Sequence, residues 1–325
     1  MRKLYFVSRI ISLELVICEQ ARMLRLGIVD FDTSHSIEFT RRFNHVGVSQ
    51  DQCVEGAKVV LGFPGTSEMS PERIPGFQKQ IVSCGVELVD HPSEMFGRVD
   101  AILINSLCGS AHLDHARLCL DAELPVFVDK PFACSLHDAE EMFRLANLAG
   151  QLMFTTSALR LSDDVLRLAE NANRAGGITG AAVFGPAKRQ AGNPGMFHYG
   201  IHLVELLFAI MGPGCEAVSN AYTDGAEVIT ARWKDGRLGT IRGTRDGCTA
   251  YGVVAFCESA VLQSQVSTQF VYRNLCQEIV TAFETGKSPV AHEISLEIVR
   301  FILSCMKSEQ NDGCQVDLSS IKEDD

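Results

Sequence analysis

The chain has 325 residues, 46% hydrophobic and 21% charged, which is enough apolar material for two packed cores at roughly 150 residues per domain. A formal net charge of −11, with no stripe of basic residues, argues against nucleic acid as a partner, because phosphates would be repelled. Twelve cysteines are scattered with no CxxC pair, which argues against zinc-ribbon and thioredoxin-type sites and suits reduced, buried thiols in a cytoplasmic protein.

Residues 1–22 begin with Met1-Arg2-Lys3 and a partly apolar run. Arg9 and Glu14 interrupt that run, and no small-residue cleavage site follows. The segment is expected to be a loose extension, or to precede a true start at Met23. No stretch is long and apolar enough to span a membrane, so none is expected as a partner.

From residue 25 to about 150, short apolar runs alternate with amphipathic ones. Strands are predicted at Arg25–Phe31, Ala57–Leu61, Val86–Val89, Val99–Asn105 and Pro125–Val128. Helices are predicted at Ser36–Val46, Pro71–Cys84, Ser110–Ala122 and Ser135–Ala149, the last capped by Ser135 and ended by Gly150. Strands apolar on both faces, joined by helices, imply a parallel sheet covered on both sides and wound right-handedly. The expected unit at 23–150 is a Rossmann-type, doubly wound domain.

The pattern changes after Leu152–Thr155. Asp163–Ala175 and Met196–Met211 read as helices, and Gly180–Phe184 as a strand. Four strand-like runs then follow, at Ala217–Thr223, Glu227–Trp233, Leu238–Arg245 and Gly252–Ser259. Lys234-Asp235-Gly236-Arg237 is a hairpin signal between two of them. Phe270–Thr285 and Ile294–Met306 are closing helices. The expected second unit, 151–310, is therefore α+β with a largely antiparallel open sheet, and the closing helices are available to pack back on the first domain. Residues 311–325 form an acidic tail, expected to be disordered.

Five local patterns, in this order, resemble the glucose–fructose oxidoreductase and inositol dehydrogenase (Gfo/Idh/MocA) family. They are Leu26-Gly27-Ile28-Val29; Val99-Asp100-Ala101-Ile102-Leu103-Ile104 with the following His112; Val126-Phe127-Val128-Asp129-Lys130-Pro131-Phe132, where the family has Glu-Lys-Pro; Gly200-Ile201-His202-Leu203-Val204-Glu205, like the family's active-site helix; and the Trp233-Lys234-Asp235-Gly236 hairpin. The resemblance spans about residues 24–308. It implies NAD or NADP as cofactor, a sugar-like or polyol substrate, and a homodimer or homotetramer built through the second sheet. It places the cofactor along Phe31, Asp32, Thr33, Ser34, His35, Ser106, Asp129 and Lys130. Catalysis would fall to Lys130 and His202, helped by His198, with Arg160 and His198 against the substrate. Such a lysine stabilises developing negative charge, and such a histidine takes the proton when an alcohol is oxidised.

The departures lie in the phosphate loop. Aligned on Gly27, the three positions that are glycine in the family's GxGxxG hold Asp30, Asp32 and His35. Two carboxylates there would face a dianion, and two like charges 4 Å apart repel by about 1 kcal/mol in water and by several times that in a drier cleft. The second strand runs into Leu61-Gly62-Phe63-Pro64-Gly65, with no ribose-reading carboxylate before Glu68. Asp30, Asp32 and His35 lack the spacing of any metal motif, so no metal is expected and capping and packing are the better account. His198 stands where the family's motif has aspartate; four residues from His202 on one helix, it would share that face. Two readings follow: a dehydrogenase acting on a CH–OH group, and a non-redox ligand-binding or regulatory relative that has lost the dinucleotide.

Overall fold

The computed structural model describes residues 23–323, so the expectation for residues 1–22 lies outside the described residues. The first sheet contains β1 (Leu24–Val29), β2 (Ala57–Phe63), β3 (Glu87–Leu88), β4 (Ala101–Ile104), β5 (Val126–Val128) and β6 (Met153–Phe154). Its order is β3-β2-β1-β4-β5-β6, and every pairing is parallel. This is the doubly wound Rossmann order, with the strand sequence reversing between β1 and β4. All residues of β4 and β5 are buried, as strands covered on both faces require. Gly27 is dictated by packing: a Cβ there would come within 2.6 Å of Met95 Sδ and 2.7 Å of Ile102 Cδ1.

The connecting helices are α1 (Ser34–Asn44), α2 (Ile74–Ser83), α3 (His112–Asp121) and α4 (Leu136–Ala149). Thr33 caps α1 by accepting the His35 N–H. Ser135 caps α4 by accepting the Asp138 N–H, and α4 ends at the left-handed Gly150.

The second sheet contains β7 (Ile178–Pro186), β8 (Cys215–Tyr222), β9 (Ala226–Trp233), β10 (Leu238–Thr244), β11 (Gly252–Cys257), β12 (Val261–Gln265) and β13 (Val316–Asp317), in the order β12-β11-β7-β10-β9-β8-β13. Its pairings are antiparallel except β7 with β10, so the expected largely antiparallel sheet is found with one parallel seam. One face packs on α6 (Ile201–Met211) and α8 (His292–Gln310). The other leaves Phe184, Val228, Leu238 and Phe256 exposed. Buried Trp233 anchors the covered face, donating its indole N–H to Gly212 O at 3.0 Å.

Three local expectations are corrected. The helix predicted from Met196 begins at Ile201, because Gly200 turns tightly over Met196 and a short 3-10 turn occupies Gly195–Phe197. Strand β12 was missed because it alternates between exposed and half-buried positions and carries little apolar signal. The tail is ordered within the described residues: β13 pairs with β8, and Leu318 and Ile321 are buried.

The domains share one continuous core. α5 (Asp163–Arg174) lies beside β12, while α7 (Val271–Thr285) packs on α1 and α8 packs on α4. His292 stacks on Phe143 with ring centroids 4.0 Å apart and hydrogen-bonds Met153 O at 3.0 Å.

Candidate active site

At the carboxyl edge of the parallel sheet, a cleft of about 580 Å³ opens between the two domains. Parallel α/β sheets bind ligands at this edge, where the strand order reverses. The first domain supplies Thr33, Ser34, His35, Arg73 and Lys130, and the second supplies Lys188, His198 and His202. Three aromatic residues, Tyr199, Tyr251 and Tyr272, complete the walls.

Lys130 follows β5 directly. Burial lowers its ammonium pKa, against the opposing pull of Asp129. His202 sits in the first turn of α6 with its Nδ1 2.7 Å from Ser157 Oγ. Burial, followed by the Lys130 charge, holds its pKa well below the ordinary imidazole value. His198 precedes the helix rather than sharing its face, yet reaches the same cleft. Burial, then Lys130 and Arg73, lower its pKa to about 4, and its Nδ1 is buried without a hydrogen-bond partner. Both imidazoles are therefore neutral at pH 7.

The β1–α1 turn is built differently. Asp30 is left-handed, at φ 68°, and its carboxylate turns away from α1 to accept from Ser106 Oγ and to pair with His115 Nε2 at 3.1 Å. Burial alone would lower the His115 pKa, but the Asp30 bond and charge raise it. Gly65 gives Asp30 its room, since a Cβ there would overlap Asp30 Oδ1. Asp32 accepts the Leu107 N–H at 2.9 Å, and burial raises its pKa. His35 Nδ1 lies 2.6 Å from Asp129 Oδ2, and both side chains are buried. Burial would raise the Asp129 pKa, but His35 holds it below the usual value.

Of the residues expected along a cofactor, Thr33, Ser34, His35 and Lys130 line the cleft. Asp32 and Ser106 line a neighbouring cavity of about 260 Å³, together with Thr66, Ser67 and Glu68. Asp129 is buried and holds His35, and Phe31 is wholly inside the core, packed near Gly62. Arg160 lines neither cavity. Its guanidinium pairs with Glu205 of α6 at 2.7 Å, so its charge is occupied by a partner inside the second domain. His112 is fully buried, with both ring nitrogens on backbone carbonyls, and serves the loop after β4. Sequence reasoning missed Arg73, Lys188 and the three tyrosines, which stand in loops or at helix starts with no motif around them. Among the described residues no cluster of side chains is arranged to hold a metal.

A dinucleotide needs donors at its phosphates and no facing carboxylate. Asp30 and Asp32 each accept from a protein donor, though Asp30 Oδ1 is buried without a partner, and the cleft presents the first turn of α1 and Arg73 beside one carboxylate, Glu72. The two cavities adjoin where Leu107, on the cleft, donates its N–H to Asp32, on the second cavity. The residues present fit the group at its two ends, with Asp32 as the crossing point.

Residues 70–157 match the profile of an oxidoreductase family with an NAD-binding Rossmann fold. No curated protein matches the chain. Among solved structures, a probable dehydrogenase from Thermotoga maritima superposes with a TM-score of 0.77 at 17% identity, covering 92% of this chain and 100% of its own. A myo-inositol dehydrogenase from Corynebacterium glutamicum gives 0.76 at 16%, covering 91% and 99%. A scyllo-inositol dehydrogenase from Lactobacillus casei, with NAD(H) and scyllo-inositol bound, gives 0.75 at 15%, covering 92% and 100%. At these identities the likeness establishes a common fold.

Proposed function

We propose, from its matched segment and its fold, that this chain is a Gfo/Idh/MocA-type NAD(P)-dependent dehydrogenase of a sugar, polyol or related hydroxy compound. One observation carries the reading: Lys130, His198 and His202 come from separate elements and converge on one cleft at the carboxyl edge of the Rossmann sheet.

Bound nicotinamide would supply the hydride acceptor. Lys130 donates to the reacting oxygen and stabilises its developing charge. When Nδ1–H of His202 is donated to Ser157 Oγ, the ring keeps its lone pair at Nε2 and accepts the hydroxyl proton there. Its depressed pKa keeps that nitrogen free of a proton at pH 7. His198, also neutral, adds a second imidazole beside Lys130 without adding charge. Thr33, Ser34 and His35 would hold the phosphate end, and the second cavity would hold the adenosine end.

The test is titration of the purified protein with NADH and NADPH, followed by nicotinamide fluorescence and by melting temperature. A cofactor that binds native protein raises the melting temperature by mass action. Absence of both signals with either cofactor at millimolar concentration would overturn the reading. The same titration decides the second reading, a non-redox ligand-binding relative, which is favoured by the Asp32 side chain standing where the two cavities adjoin.

The exposed face of the second sheet, with Phe184, Val228, Leu238 and Phe256, supports a homodimer or homotetramer. The unpaired state of all eleven described cysteines supports a reducing, cytoplasmic setting.

A further inference from the structure

We infer that the cleft contains an anion-binding site, lined by Arg73, Lys188 and Lys130, for a phosphate or carboxylate group of the ligand; this rests on the oxidoreductase reading. The charges along this edge are sorted in an unusual way. Three buried carboxylates under the first-domain wall are each bonded inside the protein. Asp30 is held by Ser106 and His115, Asp32 by the Leu107 N–H, and Asp129 by His35. The cations are paired less: among the described residues the Arg73 guanidinium has only the Asp32 carbonyl, and the Lys130 and Lys188 side chains have no hydrogen-bond partner. Arg73, Lys130 and Lys188 all line the cleft, and none forms an ion pair with a described carboxylate. Glu72 is the one carboxylate on the lining, so the cleft is cationic in a chain of net charge −11.

The cations also come from both domains. Arg73 belongs to the turn before α2, and Lys188 follows β7 in the second domain, so the two approach from opposite walls. Arg73 is braced by the Phe77 ring, 5.9 Å from its guanidinium carbon, and by Asp32 O at 3.4 Å. The guanidinium fork suits a phosphate or carboxylate, and these contacts reduce the ordering left to do on binding. Lys130 on the same lining adds a charge that burial disfavours and Asp129 only partly supports, and an anion would relieve that cost.

Two sources could bring the anion: the pyrophosphate of the dinucleotide, or an acid group on the substrate. Calorimetric titration of the full chain with inorganic pyrophosphate, glucuronate and glucose, alone and with NADH, separates them. Arg73→Ala and Lys188→Ala both alter exposed side chains, and their melting curves report whether folding is retained. The expected result is that at least one anion binds about tenfold more tightly than glucose, and that at least one of the variants weakens it about five- to tenfold. High salt should weaken it in the wild type. Pyrophosphate displacing NADH, with the loss in Arg73→Ala, assigns the site to the cofactor. Glucuronate binding beside NADH, with the loss in Lys188→Ala, assigns it to the substrate. The inference is overturned if neither anion binds better than glucose, or if anion affinity is unchanged in both folded variants. Anion binding that persists while NADH fails to bind would sink the oxidoreductase reading and leave the anion site standing.

Discussion

The two walls of the cleft solve opposite electrostatic problems. The first-domain wall, at the β1–α1 turn, buries carboxylates and gives each a donor on one oxygen, and His115 gains a raised pKa from Asp30 in doing so. The second-domain wall, at the start of α6, buries imidazoles next to a lysine, and His198 and His202 have lowered pKa values. One wall stores charge in internal pairs, and the other keeps its nitrogens neutral and available to a ligand. The same residue type thus takes different roles: burial lowers all three imidazole pKa values, Asp30 overrides it at His115, and Lys130 adds to it at His198 and His202.

The sharpest way to break this contrast is on the neutral wall. His202→Asn should lower kcat/KM by about 10²- to 10⁴-fold, with the fold intact by circular dichroism. A loss under threefold would remove His202 from proton transfer. Next in size is the ion pair beneath the same wall. Glu205→Ala leaves Arg160 buried without its partner and should cost roughly 3–5 kcal/mol in a denaturant titration. A cost under 1 kcal/mol would mean that Arg160 relaxes to solvent and was never held by that pair.

The walls should also respond oppositely to pH. Unfolded imidazoles take protons near pH 6.5, while folded His198 resists protonation down to about 4. The folded state then binds fewer protons, so stability falls as pH drops from about 6.5 to about 4, by on the order of 3 kcal/mol for this group. His115 has the reverse sign: its contribution is fully present below the unfolded pKa and is lost as pH rises through its raised folded value. Urea midpoints across pH 4–8 for His198→Asn and His115→Asn should therefore flatten opposite limbs of the profile, and flattening of the same limb by both would refute the assignment. The smallest effect is expected at the crossing point. Asp32→Asn keeps an oxygen to accept the Leu107 N–H but removes a carboxylate, and should tighten NADH binding about three- to tenfold by fluorescence. Weaker binding would show that Asp32 helps to hold the cofactor.

Much of the fold was legible because it is written in short-range pattern. The apolar strands β1, β4 and β5, the Ser135 cap and the Gly150 stop all announce themselves locally. Lys130 and His202 were legible for the same reason, each embedded in a distinctive run. What the sequence hid depends on distant partners. Nothing near Arg160 discloses that Glu205, forty-five residues on, will take its charge. Nor does the spacing of Asp30 and Asp32 reveal that Ser106 and Leu107 will turn both carboxylates inward. The four-residue spacing of His198 and His202 suggested one helical face, but the tight turn at Gly200 starts the helix only after His198.

The return of α7 and α8 to the first sheet has a consequence for how a ligand gets in. Because these helices bolt the second unit to α1 and α4 within one uninterrupted interior, the two halves are poorly suited to swing apart like a jaw. Entry should instead depend on side chains at the rim and on the loops that carry Arg73 and Lys188, so the receptacle is shaped during folding and a guest must match it on arrival.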